Sequence, residues 1–136
     1  MSRYTALIDG EDGAYGVAFP DLPGCVAQAA TLEAALRNAG EALREFVADA
    51  LDHGEAVPAP RSLEELRQDP EAAAALKGGA MLASIALVLH TGKTVKANLS
   101  LDEGVLSAID AEAARRNLTR SALVELMTRH MLAEGV

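Results

Sequence analysis

The chain has 136 residues, room for one domain of ordinary size or two very small ones. Half of it is formally apolar, yet 28 of those residues are alanine and only four are aromatic, which argues against base-stacking RNA-binding sheets and single-strand channels. The net charge is -8, and a lone cysteine, Cys25, excludes an internal disulfide framework or a multi-cysteine metal site.

The charge is unevenly spread. Residues 1–60 hold three basic against ten acidic side chains, residues 61–92 three against four, and residues 93–136 six against six. An acidic first half and a balanced last third suggest two parts with different partners, the first of them basic, although an acidic face also serves plain solubility. Met1 leads straight into patterned sequence, and the longest aliphatic run, Met81 to Leu89, is about half the ~20 residues a membrane span needs. A soluble, reducing, cytoplasmic setting is expected.

Tyr4–Asp9 reads as a first strand, Gly10–Gly13 as a turn, and Tyr15–Phe19 as the second arm of a hairpin. Pro20-Asp21-Leu22-Pro23-Gly24 breaks the ladder, and Cys25–Gln28 is long enough for a short third strand. Thr31 is placed to cap a long helix, with Leu32, Ala35, Leu36, Ala39, Leu43, Phe46, Val47, Ala50 and Leu51 on one stripe and Gly54 at its end. Ser62 with Glu65 spells a capping box for a short helix, and Asp69-Pro70 starts another that ends at Gly78-Gly79. Met81–Leu89 is expected to return to the sheet as a central strand. Residues 1–90 thus predict an α+β unit, one helical layer on a sheet.

The last forty residues carry the most specific pattern. Thr94, Lys96, Asn98 and Ser100 alternate strictly with Val95, Ala97, Leu99 and Leu101, as a strand requires. Asp102 and Glu103 open a helix with Val105, Leu106, Ile109 and Ala113 on its apolar side. Asn117 suits a left-handed turn, and Thr119 caps a final helix whose inward positions are Leu123, Leu126, Met127 and Met131. Strand, helix, helix contains no partner for its own strand, and two short helices cannot bury their apolar faces. A second copy solves both problems: two strands pair into an antiparallel ribbon above four helices, and the polar row faces outward. Such a ribbon fits the DNA major groove, where Lys96, Asn98 and Ser100 can read base edges. Thr94, Thr119, Arg120 and Ser121, with the free N–H groups that open the last helix, can hold phosphate. The plainer reading of the polar row is the wet side of an ordinary amphipathic strand.

Residues 94–133 resemble the ribbon-helix-helix DNA-binding fold, whose three outward strand positions fall on Lys96, Asn98 and Ser100. Those positions often carry more Arg than here, and many members have Gly where Asn117 stands. Residues 4–60 are similar to the HicB antitoxin domain in the Tyr4–Asp9 strand, the acidic-Gly turn, the run Phe19-Pro20-Asp21-Leu22-Pro23-Gly24-Cys25, and the Thr31-capped helix. The resemblance implies a partial RNase H-like domain over residues 1–90 and a ribbon-helix-helix module over 94–136. It implies a non-enzymatic type II antitoxin that masks a HicA-like mRNA interferase and represses its own operon as a homodimer or tetramer. Tyr15, Phe19, Asp21 and Leu22, around the Pro-rich turn, are the candidate toxin contacts, with Leu22 between two prolines the hardest to bury and Phe19 also readable as core.

Other chemistry is weakly supported. Asp9, Glu41, Glu45 and Asp49 are candidates for a two-metal nuclease, but the last three lie opposite the apolar stripe, facing solvent. Cys25 reads as a buried thiol, and His53, His90 and His130 lack ligand spacing, so no metal or cofactor is expected. The alternative function is a ribbon-helix-helix regulator whose first domain senses a small ligand.

Overall fold

The computed structural model describes residues 2–134. The expected boundaries 1–90 and 94–136 also take in Met1, Gly135 and Val136, which lie outside the described residues. The chain divides into two compact units, residues 1–89 with 132–136, and residues 90–131.

The first unit is mixed α+β, built on a four-stranded antiparallel sheet. β1 (Arg3–Glu11) and β2 (Ala14–Ala18) form a hairpin around Asp12-Gly13, with Glu11 opposite Ala14. Gly10 is obligatory there: its φ is +95°, and a Cβ would stand 2.1 Å from the Ala14 carbonyl oxygen. β3 (Val26–Ala29) pairs with β2, and β4 (Met81–Ala86) pairs with β1, giving the order β3-β2-β1-β4. The expected central strand is therefore an edge strand. The returning chain takes the side of β1 that β2 leaves free, and an apolar run does not reveal how many neighbours a strand has.

α1 (Leu32–Asp52) lies across one face of the sheet. Thr31 Oγ1 accepts from the Ala34 N–H as its N-cap. At the far end Gly54 adopts φ +67°, its N–H donating to Leu51 O and the next N–H, of Glu55, to Ala50 O, the paired bonds of a Schellman motif. Ala35, Ala39, Leu43 and Val47, one turn apart, close a core with Tyr4, Ala6 and Ile8 of β1, Val17 of β2 and Ile85 of β4. Each fully buried side chain of leucine or valine size contributes about 1.5–3 kcal/mol. Ser62 and Glu65 complete a reciprocal capping box on α2 (Leu63–Gln68), and Asp69 caps α3 (Pro70–Lys77).

One charged group enters this core. The Asp21 side chain is 2% exposed, and its two oxygens accept from the Arg61 Nε and, at 3.0 Å, from the Arg61 backbone N–H. Arg61 reaches on to Asp69 at 3.0 Å, so one guanidinium ties the turn after β2 to the cap of α3. That hydrogen bond is the main reason the Asp69 carboxyl sits below its ordinary range. Nearby, the Tyr4 hydroxyl donates to Pro58 O at 2.7 Å, and burial raises its pKa.

In the second unit α4 (Glu103–Arg115) is capped by Asp102, whose carboxylate accepts from the Gly104 and Val105 N–H groups. The chain then turns through Asn117 at φ 56°, the left-handed residue anticipated there, into α5 (Arg120–Glu134), where Thr119 Oγ1 accepts from the Ala122 N–H. Only Ala113 and Leu123 are buried in this unit, while Val105, Met127 and Met131 are 50%, 42% and 58% exposed. Glu112 receives the guanidinium groups of Arg115 and Arg116, hydrogen bonds that pull its carboxyl down to about 2.

Two outcomes are expected. Asp21→Ala leaves Arg61 without its buried acceptor and should cost about 2–3 kcal/mol of unfolding free energy, read by urea denaturation. Glu112 titrates lower in the folded chain than its ordinary 4.5, so its contribution is complete above that value and disappears as pH falls toward 2. Glu112→Gln should flatten the dependence of Tm on pH in that window and leave it unchanged near neutrality.

Candidate functional site

The segment His90–Leu101 is neither helix nor strand in the single chain, and every residue in it is exposed. Thr94, Lys96, Asn98 and Ser100 make no hydrogen bond through their side chains to any described residue. The apolar row is equally uncovered: Val95 is 89% exposed, Leu99 67% and Leu101 43%. Its one contact with the following helices is His90 Nδ1, 3.3 Å from an Arg129 guanidinium nitrogen, and from Thr94 to Leu101 two rows of opposite character both stand uncovered. A bare aliphatic row is costly in water, and a strand laid beside it would cover that row and pair the exposed backbone as well.

Around it the cations are mostly engaged. Asp110 holds Arg120 by two hydrogen bonds of 2.8 and 2.9 Å, which lowers the Asp110 carboxyl and raises the guanidinium. Arg115 and Arg116 are bound to Glu112, and Arg129 to Glu125 at 3.2 Å. Lys93 and Lys96 are the cations of this unit with no carboxylate partner among the described residues. Arg120 would thus have to release Asp110 to meet a phosphate, whereas the N–H groups of Arg120 and Ser121, at the open start of α5, have no acceptor among the described residues.

The expected protein-contact residues are placed differently. Phe19 is 2% exposed, Leu22 1% and Asp21 7%. The expectation that Leu22 is hard to bury is corrected. Three backbone bonds, Leu22 N–H to Phe19 O, Cys25 N–H to Leu22 O and Phe19 N–H to Cys25 O, fold the Pro-rich turn back so that Leu22 enters the core. Asp21, held by Arg61, points inward as well. Tyr15 alone of the four is half-buried with surface left over.

What the sequence did not single out is the flank beside β3. Val26 is 62% exposed, and an open trough of about 300 Å³ is lined by Gly24, Cys25, Val26, Ala42, Glu45 and Phe46. Glu41, Glu45 and Asp49 are exposed along α1, and the His53 pKa is raised first by the Asp49 carbonyl oxygen, 2.8 Å from Nδ1, and then by the Asp49 carboxylate at 3.4 Å. Residues 1–89 carry six basic against fourteen acidic side chains, and residues 90–136 six against six. Cys25 forms the buried floor, its thiol pushed up to about 11 by burial, which makes it a poor nucleophile. No cluster of three His, Cys, Asp or Glu suited to a metal exists among the described residues, and Asp9, Glu41, Glu45 and Asp49 do not converge. None of the described helices is long and apolar enough to cross a membrane.

Comparison with known proteins gives a consistent picture. The family described as the HicB-like antitoxin of bacterial toxin-antitoxin systems matches residues 4–128. A UPF0150 protein of Thermoplasma acidophilum is 42% identical over 57 residues, 41% of this chain and 83% of that protein. The crystal structure of the Burkholderia pseudomallei antitoxin HicB is 31% identical, covers 97% of this chain and 99% of its own, and superposes with a TM-score of 0.56. The fold is shared at 22% identity and a TM-score of 0.53 with a chain of a HicA3–HicB3 toxin-antitoxin complex, over 63% of this chain and 98% of that one.

Proposed function

The chain belongs to the HicB-like antitoxin family, whose members are antitoxins and not enzymes, and from that membership we propose that it masks a HicA-like toxin and represses its own operon. In this reading residues 1–90 form a partial RNase H-like domain that binds the toxin in the cytoplasm. Residues 94–136 form a ribbon-helix-helix module that dimerises and binds operator DNA.

The family match over residues 4–128 carries the antitoxin half. Charge supports the choice of surface. A toxin that grips RNA is basic, and the net acid of residues 1–89 attracts it, raising association rate and selectivity more than affinity. With Phe19, Asp21 and Leu22 committed to the core, the contact runs along the exposed acids of α1 and the trough at Val26 and Phe46, and Tyr15 keeps some surface of its own at the other end of β2.

The DNA half is carried by the two-faced segment Thr94–Leu101. A second copy covers Val95, Leu99 and Leu101 and supplies the missing strand. Lys96, Asn98 and Ser100, unengaged in the single chain, then line the outer side of the ribbon and select sequence. Thr94, Thr119, Arg120 and Ser121 hold the flanking phosphates and fix register. Lys93 adds free positive charge beside them.

Asn98→Ala should weaken binding to DNA from upstream of the gene by about ten- to a hundredfold relative to unrelated DNA, the usual worth of one bidentate base contact, with the dimer intact. Equal preference in a mobility-shift titration would overturn the base-reading role. Removing residues 93–136 should abolish DNA binding while co-purification with the toxin persists; loss of the toxin as well would move its contact into the second unit.

A further inference from the structure

β3 is an edge strand, and its start borders the trough. The phase of its ladder follows from one bond, the Phe19 N–H to Cys25 O at 3.2 Å. Given Ala18 opposite Val26 and Gly16 opposite Gln28, those two pairs are the ones not bonded to each other, and the backbone groups of Val26 and Gln28 turn away from β2. The Gln28 carbonyl is already taken: Asn38 Nδ2 of α1 donates to it at 3.0 Å. The Val26 N–H and C=O are not used by the ladder. α1 thus closes the edge at Gln28 and leaves it open two residues earlier, where Ala42, Glu45 and Phe46 line the trough.

The opening has one charge. Of its six lining residues only Glu45 is ionised, and its side chain is exposed. Apolar walls with a carboxylate at the mouth suit a long amphipathic side chain, whose methylenes lie along the wall while the charged head stays at the polar end. Lysine and arginine have that shape. An acidic head would be repelled by Glu45, and by Glu41 and Asp49 one turn to either side. An apolar side chain would cover Glu45 without giving it a counter-charge, which costs free energy.

We infer that the trough takes one lysine or arginine side chain from an extended segment of the toxin, whose main chain meets Val26 and whose cation meets Glu45. The inference rests on the toxin-masking reading above and names the contact within it. Ala27 faces the core opposite Val17, so the Val26 side chain points away from α1. A partner residue paired with Val26 points away as well, and its neighbour in the chain turns toward α1 and enters the trough. The bond between Asn38 and Gln28 stops the segment from continuing as a full strand. Affinity at this place therefore comes from one anchored side chain rather than from a long ladder.

The test is the rate at which the full chain leaves the HicA-like protein of its operon, immobilised for surface plasmon resonance. Glu45→Gln should speed dissociation about tenfold or more and change association much less, as a charge pair covered in the complex does. Glu64→Gln removes the same charge from α2, outside the trough, and should leave dissociation within about twofold. Ala42→Leu fills the trough without changing charge and should speed dissociation as Glu45→Gln does. In double-mutant cycles a single lysine or arginine of the toxin should couple to Glu45. Circular dichroism checks that the fold is kept, and Glu45→Gln, at an exposed position, decides should Ala42→Leu unfold. Wild-type dissociation in either folded variant would overturn the inference and leave the masking reading standing: without the Glu45 effect the occupant is apolar, and without the Ala42 effect the cation sits outside the trough. A wild type that does not bind the toxin at all would end the masking reading, and the inference with it.

Discussion

The first unit depends on a single buried carboxylate. Asp21 sits in a turn that three backbone bonds fold into the core, and Arg61, forty residues later, satisfies it with both side chain and backbone. A charge out of water needs such a partner, because desolvation without one costs several kcal/mol. The pairing decides where the chain goes after α1: the loop through Pro58 is drawn to the sheet, where Tyr4 donates to it, and Asp69 is presented to the same guanidinium as the cap of α3.

Charge is handled in opposite ways in the two units. In the first it accumulates: the acids of α1 mostly face water, and the core admits only Asp21 among charged side chains. In the second it is compensated locally, each arginine facing a carboxylate within ten residues in sequence, which leaves Lys93 and Lys96 unpaired. The DNA contact proposed above is compatible with a net-acidic chain, since what acts on a phosphate or a base edge is the local field, screened beyond about 10 Å.

Both units are unfinished as single chains, for different reasons. In the first, the sheet ends in two edge strands, β3 and β4, while the core beneath is closed. In the second, the helices bury only Ala113 and Leu123, and the segment before them buries nothing. The same physical need, to pair backbone and cover aliphatic surface, points to partners at both places.

Much of the secondary structure was legible because its causes are local. Alternation marked β1 and β2, a 3.6-residue stripe marked α1, and Thr31, Ser62, Asp69 and Thr119 announced helix starts through bonds that span three residues or fewer. Asn117 could be assigned its left-handed turn from its neighbours alone. The polar and apolar rows of Thr94–Leu101 were likewise visible as a pattern. Tertiary structure alone decided that Leu22 is buried, that β4 is an edge, that Asp21 belongs to Arg61, and that Arg120 is held by Asp110. The Leu22 turn closes through bonds of three to six residues but needs the assembled core to enter, and the other outcomes join positions ten to eighty residues apart or depend on which side of a strand was already occupied. No local preference encodes such a choice, because it is made by the competition of whole elements for the same space.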